Sequence, residues 1–437
     1  MENKPKYNVL MLGWEFYPVF AGGMGVVTSE IVSGLTAANI GVHFVIPRLP
    51  QKIIVDRVNL ISAEDYIAHP STVSKTKEYV NSVKKTYVDT EIMPYGANVL
   101  SGEKLSSDLV SSSNTETQPK SASSKSNPKS LYHSDLFRDI KMFEDRTVEI
   151  ALESDYDLIH AHDWMTFKAA IKAKNVTGKP VVLHVHAMES DRSGDNPNMV
   201  ILNIERECLQ QADYVIAVSK KVKEDIIKNY NIDANKIFVI HNSTNFYQAH
   251  NRSILSQQDK IVLFLGRITM QKGPEYFIYA AAKVLLHAPK TLFVMAGDGD
   301  AFKKCIDLIN DLGIEKNFIF TGFLVGDKKS RLYASADLFV MPSVSEPFGV
   351  VALEAIKSGT PVIVSKTSGA AEIIYNSLTV DFWDINKMAD MMHSVLKYQS
   401  LHDELIENQS EDLESQNWNH QIDVLMRVYE LAKSSHV

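Results

Sequence analysis

Short apolar runs that stop at turn or polar residues recur along this chain, each followed by a stretch with helical spacing. In the second half they fall at 261–265, 292–296, 318–321, 338–341 and 362–365, with a helix-like segment after each. A run of four to six apolar residues is too short for a buried helix and fits a strand covered on both faces. Strand and helix alternating in this way predict a doubly wound parallel sheet. The first half opens similarly: a strand at 7–12, a helix at 26–39 closed by Gly41, and a strand at 42–46. Further strands are expected at 214–219 and 237–240, and a helix at 222–230.

At 437 residues the chain exceeds one compact core. The polar stretch 243–260 breaks the apolar periodicity and is expected to join two domains, 1–245 and 246–415. Between 101 and 130, 11 of 30 residues are Ser and none is aromatic, so residues of about 97–130 are expected to be a disordered insertion within the first domain. A net charge of −8 argues against a nucleic-acid partner. The two cysteines, Cys208 and Cys305, read as buried apolar residues in a reducing, cytoplasmic setting. No run reaches membrane-span length, and 9–12 is too short for a signal peptide.

The chemistry gathers after the expected strands. Pro342-Ser-Val-Ser-Glu346-Pro-Phe-Gly349-Val-Val-Ala-Leu-Glu354-Ala leads from a strand into a helix. The backbone N–H groups of Phe348, Gly349 and Val350 would open that helix as an anion site, with Gly349 admitting a close ligand. Glu346 ahead of it could hold sugar hydroxyls and Glu354 a ribose. The plainer alternative is a dipole-complementing Glu346 and an ordinary helical Glu354. Arg267 and Lys272 leave another strand on a glycine-bounded loop and could grip a diphosphate; as isolated residues they would be solvated cations. Gly22 and Gly23 lie on a loop too long for a dinucleotide fingerprint but suited to backbone contact with phosphates. His160 and His162 share one face of a strand, and His184 and His186 one face of the next. They could bind a metal, pack in the core, or face a sugar. Asp298-Gly-Asp300 resembles a metal motif but reads better as a helix start. Lys168, Lys172, Lys174 and Lys179 beside Phe167 and Ile171 could form a basic amphipathic membrane face, or a solvated one.

Ser345-Glu346-Pro-Phe-Gly349 with Leu353-Glu354-Ala355, and Gly266-Arg267 with Lys272-Gly273, resemble the signature of retaining glycosyltransferases of the GT-B fold. Residues 9–16, Ala21-Gly-Gly23, His160-Ala-His-Asp-Trp164 and 186–194 look like glycogen and starch synthases and the glycogen-synthase-like members of the broad family-4 glycosyltransferases. The resemblance covers nearly all of the chain except the serine-rich insertion. It implies two Rossmann-like domains facing across a cleft, with a last helix, 416–437, crossing back to the first. It implies a hexosyltransferase that needs no metal or other cofactor and moves a hexose, glucose first, from a nucleotide diphosphate to a carbohydrate acceptor hydroxyl, as in α-glucan synthesis. His162, Arg267, Lys272 and Glu346 would be catalytic; Gly22, Gly23, Phe348, Gly349, Val350 and Glu354 would bind donor; Glu15, His186, Asp191 and Arg192 would meet acceptor. The chain departs from the synthases at Phe20, where they carry Lys, at Val26, where they have a polar residue, and at Met165, where they have His. The donor base therefore stays open between uridine and adenosine. A nucleotide-sugar epimerase or hydrolase of the same fold, a hydrolase with a metal on the histidines, and a non-catalytic carbohydrate-binding relative are the competing readings.

Overall fold

The computed structural model describes residues 4–18, 23–49, 55, 57–82, 136–194, 196–245, 260–414 and 416–435. Gly22, the serine-rich insertion and most of the 243–260 linker lie outside them. The first domain builds a parallel sheet from β1 (Asn8–Leu12), β2 (Gly41–Ile46), β3 (Val58–Ser62), β4 (Leu158–His162), β5 (Val181–Val185), β6 (Tyr214–Ala217) and β7 (Ile237–Val239). Their spatial order is β3-β2-β1-β4-β5-β6-β7. The second uses β8 (Ile261–Leu265), β9 (Leu292–Ala296), β10 (Phe318–Gly322), β11 (Leu338–Met341), β12 (Val362–Ser365) and β13 (Leu378–Val380), in the order β10-β9-β8-β11-β12-β13. Every pairing between these strands is parallel. The doubly wound α/β architecture expected from the alternation is what the chain builds.

The strands are apolar throughout because helices cover both faces: β4, β5 and β11 have no exposed residue. In each sheet the chain reverses direction of winding once, between β1 and β4 and again between β8 and β11. Loops leaving those strands splay apart there and open a crevice at their carboxyl ends. The two domains meet at these carboxyl ends, where Ser345 Oγ on the loop after β11 donates to Asp191 Oδ1 in the short helix after β5 at 2.6 Å.

The last helix, Trp418–Ser434, returns to the first domain and packs on helix Gly23–Ala37, β4 and β5. Trp418 Nε1 donates to Glu30 Oε2 at 2.7 Å. The basic face considered for membrane contact is absent, because helix Trp164–Thr177 turns Phe167 and Ile171 into the core. Its Lys172 pairs with Glu144, and its Lys174 lies 2.7 Å from Asp213. No helix among the described residues is long and apolar enough to cross a membrane. Cys208 and Cys305 are free and buried, and burial pushes both thiols up to about 12.

Candidate active site in the interdomain cleft

The second domain brings its two cationic and acidic loops together. Lys272, on the loop after β8, places Nζ 2.5 Å from Oε2 of Glu346, on the loop after β11. Their side chains are 18% and 8% exposed, so each charge depends on the other for solvation. Ser343 Oγ donates to the same carboxylate oxygen at 3.3 Å. Arg267 Nη2 donates to Gln271 Oε1 at 3.2 Å, and the Gln271 carbonyl accepts Val344 N at 2.9 Å, which sews the two loops together. The motif Asp298-Gly-Asp300 caps no helix. It docks on the Arg267 loop, where Ile268 N donates to the Asp298 carbonyl at 2.9 Å, and helix Phe302–Asp311 starts after it.

Helix Val350–Lys357 begins at Gly349, whose φ is 105°. A side chain would be strained at that angle, and its Cβ would lie 2.8 Å from Met341 Cε. Glycine is therefore required where the loop after β11 enters the helix. The Phe348 carbonyl just before it accepts Ser368 Oγ at 2.9 Å and Ala370 N at 2.6 Å. One turn into the helix, the buried Glu354 meets Lys329 Nζ at 2.7 and 2.6 Å through its two oxygens and accepts Tyr333 OH at 3.0 Å. Burial, then the Glu354 charge, holds the Tyr333 hydroxyl well above its usual range.

The first domain supplies the histidines. His162 and His184 are register partners on β4 and β5, and His160 and His184 stack with rings 5.4 Å apart. His160 Nδ1 pairs with Tyr429 OH at 2.6 Å, His160 Nε2 with His184 Nδ1 at 3.3 Å, and His162 Nδ1 with His186 Nε2 at 2.9 Å. Burial pushes His160 and His186 down to about 3 and His162 and His184 well below the usual imidazole range. All four rings are thus neutral at pH 7. Among the described residues, His160, His162 and His184 are the group whose donor atoms, within 4.8 Å of one another, could hold a metal ion. The Nε2 atoms of His162 and His184 are buried without a partner.

Sequence reasoning missed Asp163. Its φ of 58° and ψ of 167° put a non-glycine residue in a region that costs of order 1–3 kcal/mol. Its carboxylate accepts His186 N at 2.7 Å and Ala187 N at 3.3 Å, while burial raises it to about 7. The signal was present in the Asp between His162 and Trp164, but strain is not visible in a string of residues.

The remaining sequence candidates separate. Glu15 Oε2 accepts Gly25 N at 3.3 Å at the head of helix Gly23–Ala37, and Gly23 faces open space. Arg192 is only 5% exposed and bridges Glu189, at 3.2 Å, to Glu205, at 2.8 Å. Both bonds tie its guanidinium to carboxylates of the first domain itself. Asp191 instead crosses the cleft: Oδ1 accepts Ser345 Oγ at 2.6 Å and faces Lys221 Nζ at 3.4 Å.

Residues 245–412 match the family described as "Glycosyl transferases group 1", and residues 120–246 the family described as "Glycosyltransferase Family 4". An uncharacterized glycosyltransferase of Methanocaldococcus jannaschii is 36% identical over 297 residues, 63% of this chain and 76% of the relative. A D-inositol 3-phosphate glycosyltransferase of Rhodococcus jostii is 27% identical over 301 residues, 63% of this chain and 67% of that one. Among solved structures, the fold is shared with a sucrose-phosphate synthase of Thermosynechococcus elongatus, with TM-score 0.74, 19% identity, and coverage of 98% of this chain and 100% of that one. It is shared also with Anabaena HepE in complex with UDP and glucose, with TM-score 0.64, 17% identity, and coverage of 96% and 99%.

Proposed function

The chain belongs to the family-4 glycosyltransferases of the GT-B fold, and from that premise we propose that it is a retaining transferase of a hexose, glucose first. The donor is a nucleotide diphosphate sugar and the acceptor a glycan hydroxyl, α-glucan included. The observation that carries this reading is the Lys272–Glu346 pair beside the Gly349 helix start. A diphosphate leaving group develops negative charge, and Lys272, Arg267 and the N–H groups opening the helix are pre-aimed donors that need no metal. HepE, whose structure holds UDP and glucose, supports a uridine nucleotide as the first donor to try.

When donor enters, Lys272 exchanges its carboxylate partner for phosphate oxygens, and Glu346 is freed to accept from sugar hydroxyls and orient the anomeric carbon. Glu354, neutralised by Lys329, takes the ribose hydroxyls. From the other wall His162, uncharged and buried, holds the partly exposed His186 through Nδ1 at 2.9 Å, and that pair sets a neutral face toward the sugar without opposing positive charge at the anomeric carbon. The acceptor hydroxyl attacks from the face the phosphate leaves, and the departing phosphate takes its proton. Domain closure excludes water, which would otherwise hydrolyse the donor. Two free buried thiols suit a reducing compartment, and we place its action in the cytoplasm.

The test is a panel of nucleotide sugars, with and without glucan acceptors, reading diphosphate release and the anomer of the product by NMR. Transfer from one donor with retained configuration is expected. An inverted product, or full turnover of donor without acceptor, would overturn the reading.

A further inference from the structure

We propose that Glu372 is the residue that positions the donor-holding loop of the second domain against the first, acting as a strap across the cleft. It ends the 3-10 turn Gly369–Glu372 on the loop after β12. On its near side that loop is bound to the donor site: Glu346 N donates to the Thr367 carbonyl at 3.2 Å and Gly369 N to the Glu346 carbonyl at 3.0 Å. The Phe348 carbonyl is held by the same loop, as described above. On its far side the Glu372 carboxylate reaches the first domain. Oε2 accepts Lys220 N at 2.8 Å and pairs with His241 Nε2 at 3.0 Å, and Oε1 accepts Lys221 N at 2.8 Å.

These partners complete a helix start. Helix Lys220–Tyr230 has Ser219 as its cap, and Ser219 Oγ accepts Val222 N at 3.1 Å. The N–H groups of its first two residues are left over, and the other domain satisfies both with a carboxylate, the charge a helix N-terminus favours. The fit is close: a Cβ at Gly369 would stand 2.7 Å from Ser219 Cβ and 2.2 Å from the Pro347 carbonyl oxygen. Only a residue without a side chain lets the strap lie flat between the domains. His241 sits just after β7, where the chain leaves the first domain, so one carboxylate ties the two walls and the start of their connection.

Glu372 touches neither the proposed sugar site nor the phosphate site. Its effect passes through Glu346 and Phe348, which makes it a positioning residue. The consequence for rate rests on the transferase reading; the consequence for shape does not.

The experiment compares full-length wild type, Glu372→Ala and Lys220→Pro by small-angle X-ray scattering and by kinetics with UDP-glucose as probe. Lys220→Pro removes one donor from the opposite side of the strap. Proline is accommodated at the first position of a helix, and Ser219, at φ −157° and ψ 164°, already has the extended conformation a following proline demands. Wild type should scatter as the closed form, and both variants should show a larger radius of gyration while melting within a few degrees of wild type. UDP binding should change less than twofold, whereas turnover should fall by about tenfold or more, because small misplacements of reacting groups are costly. Scattering curves of both variants that superimpose on wild type would overturn the strap. So would a wild type that is open in solution, or a fall in UDP affinity matching the fall in turnover. If wild type turns over no nucleotide sugar, the transferase reading fails and the scattering alone decides the strap.

Discussion

The second domain's wall of the cleft collects charge, with Arg267, Lys272 and Glu346 on two adjoining loops, whereas the first domain's wall buries four neutral imidazoles among apolar strands. The charged groups sit where the chain can leave them partly wet: Lys272 keeps 18% of its side chain exposed. The histidines are sealed beneath Tyr429 of the returning helix, and burial strips their protons. Under the proposed function, the second domain's wall exchanges its Lys272–Glu346 pairing for an anionic ligand. The other is built to hold shape, and under the same function it keeps the sugar side of the cleft uncharged. Placing charge on one side of the reacting bond and none on the other favours departure of a diphosphate toward the charged wall.

The sharpest way to break this contrast is to remove charge from the second wall. Lys272→Ala and Glu346→Ala should each lower kcat/KM by about a hundredfold to a thousandfold, the first by losing an aimed electrostatic donor and the second by losing the carboxylate that orients the sugar. Both variants should still melt cooperatively but at a lower temperature, since removing one partner leaves the other a mostly buried, unpaired charge. Retained activity in either would move the phosphate site elsewhere. Next in size is Gly349→Ala. The added Cβ meets Met341 and takes φ of 105° into strain, so the helix start must shift, and donor affinity should drop by roughly tenfold. Wild-type UDP affinity in that variant would mean the helix N-terminus does not face the phosphates.

How much of this contrast was legible in the residue string depends on the reach of each interaction. The strands were readable because burial on both faces leaves apolar runs, and their carboxyl ends already carried Glu346, Lys272 and His162. That Lys272 would touch Glu346, 74 positions away, follows from β8 and β11 being neighbours, which alternation alone does not order. Arg192 was expected at the acceptor beside Asp191, yet Glu205 from the next helix pairs with it at 2.8 Å. Lys329 and Tyr333, which hold Glu354, and Glu372, which reaches Lys220, lie in stretches without any motif. Such partners are chosen by tertiary packing, so no local pattern announces them.

A smaller effect tests the first wall. Its imidazoles have folded values below the unfolded one of about 6.5, so the unfolded chain binds more protons once the pH drops below that point. Stability contributed by these groups is fully present above about pH 6.5 and is lost as pH falls toward 3. Asp163 has the opposite sign: raised to about 7, it adds stability as pH falls through 7 toward the usual carboxylate range. Four groups oppose one, so Tm should fall between pH 7 and pH 5. Asp163→Asn should steepen that fall, and His184→Phe should shallow it. A Tm flat across this interval would mean the rings take up protons in the folded state, and the uncharged wall would be lost.

The smallest expected change is none at all, and it decides what the histidines are for. Three ring nitrogens gather closely enough for a metal, and two Nε2 atoms lack partners, which is the pattern of a vacant ligand set. Yet His160 spends both nitrogens on Tyr429 and His184, and His162 spends Nδ1 on His186. A metal would have to pull His160 away from at least one of these bonds, inside a wall with no exposed surface at His160, His162 or His184. Prolonged dialysis against a chelator should leave both transfer and Tm unchanged. Loss of activity that zinc restores would turn the neutral wall into a cationic one. Charge would then press on both sides of the reacting bond, and the division of labour between the two domains would have to be abandoned.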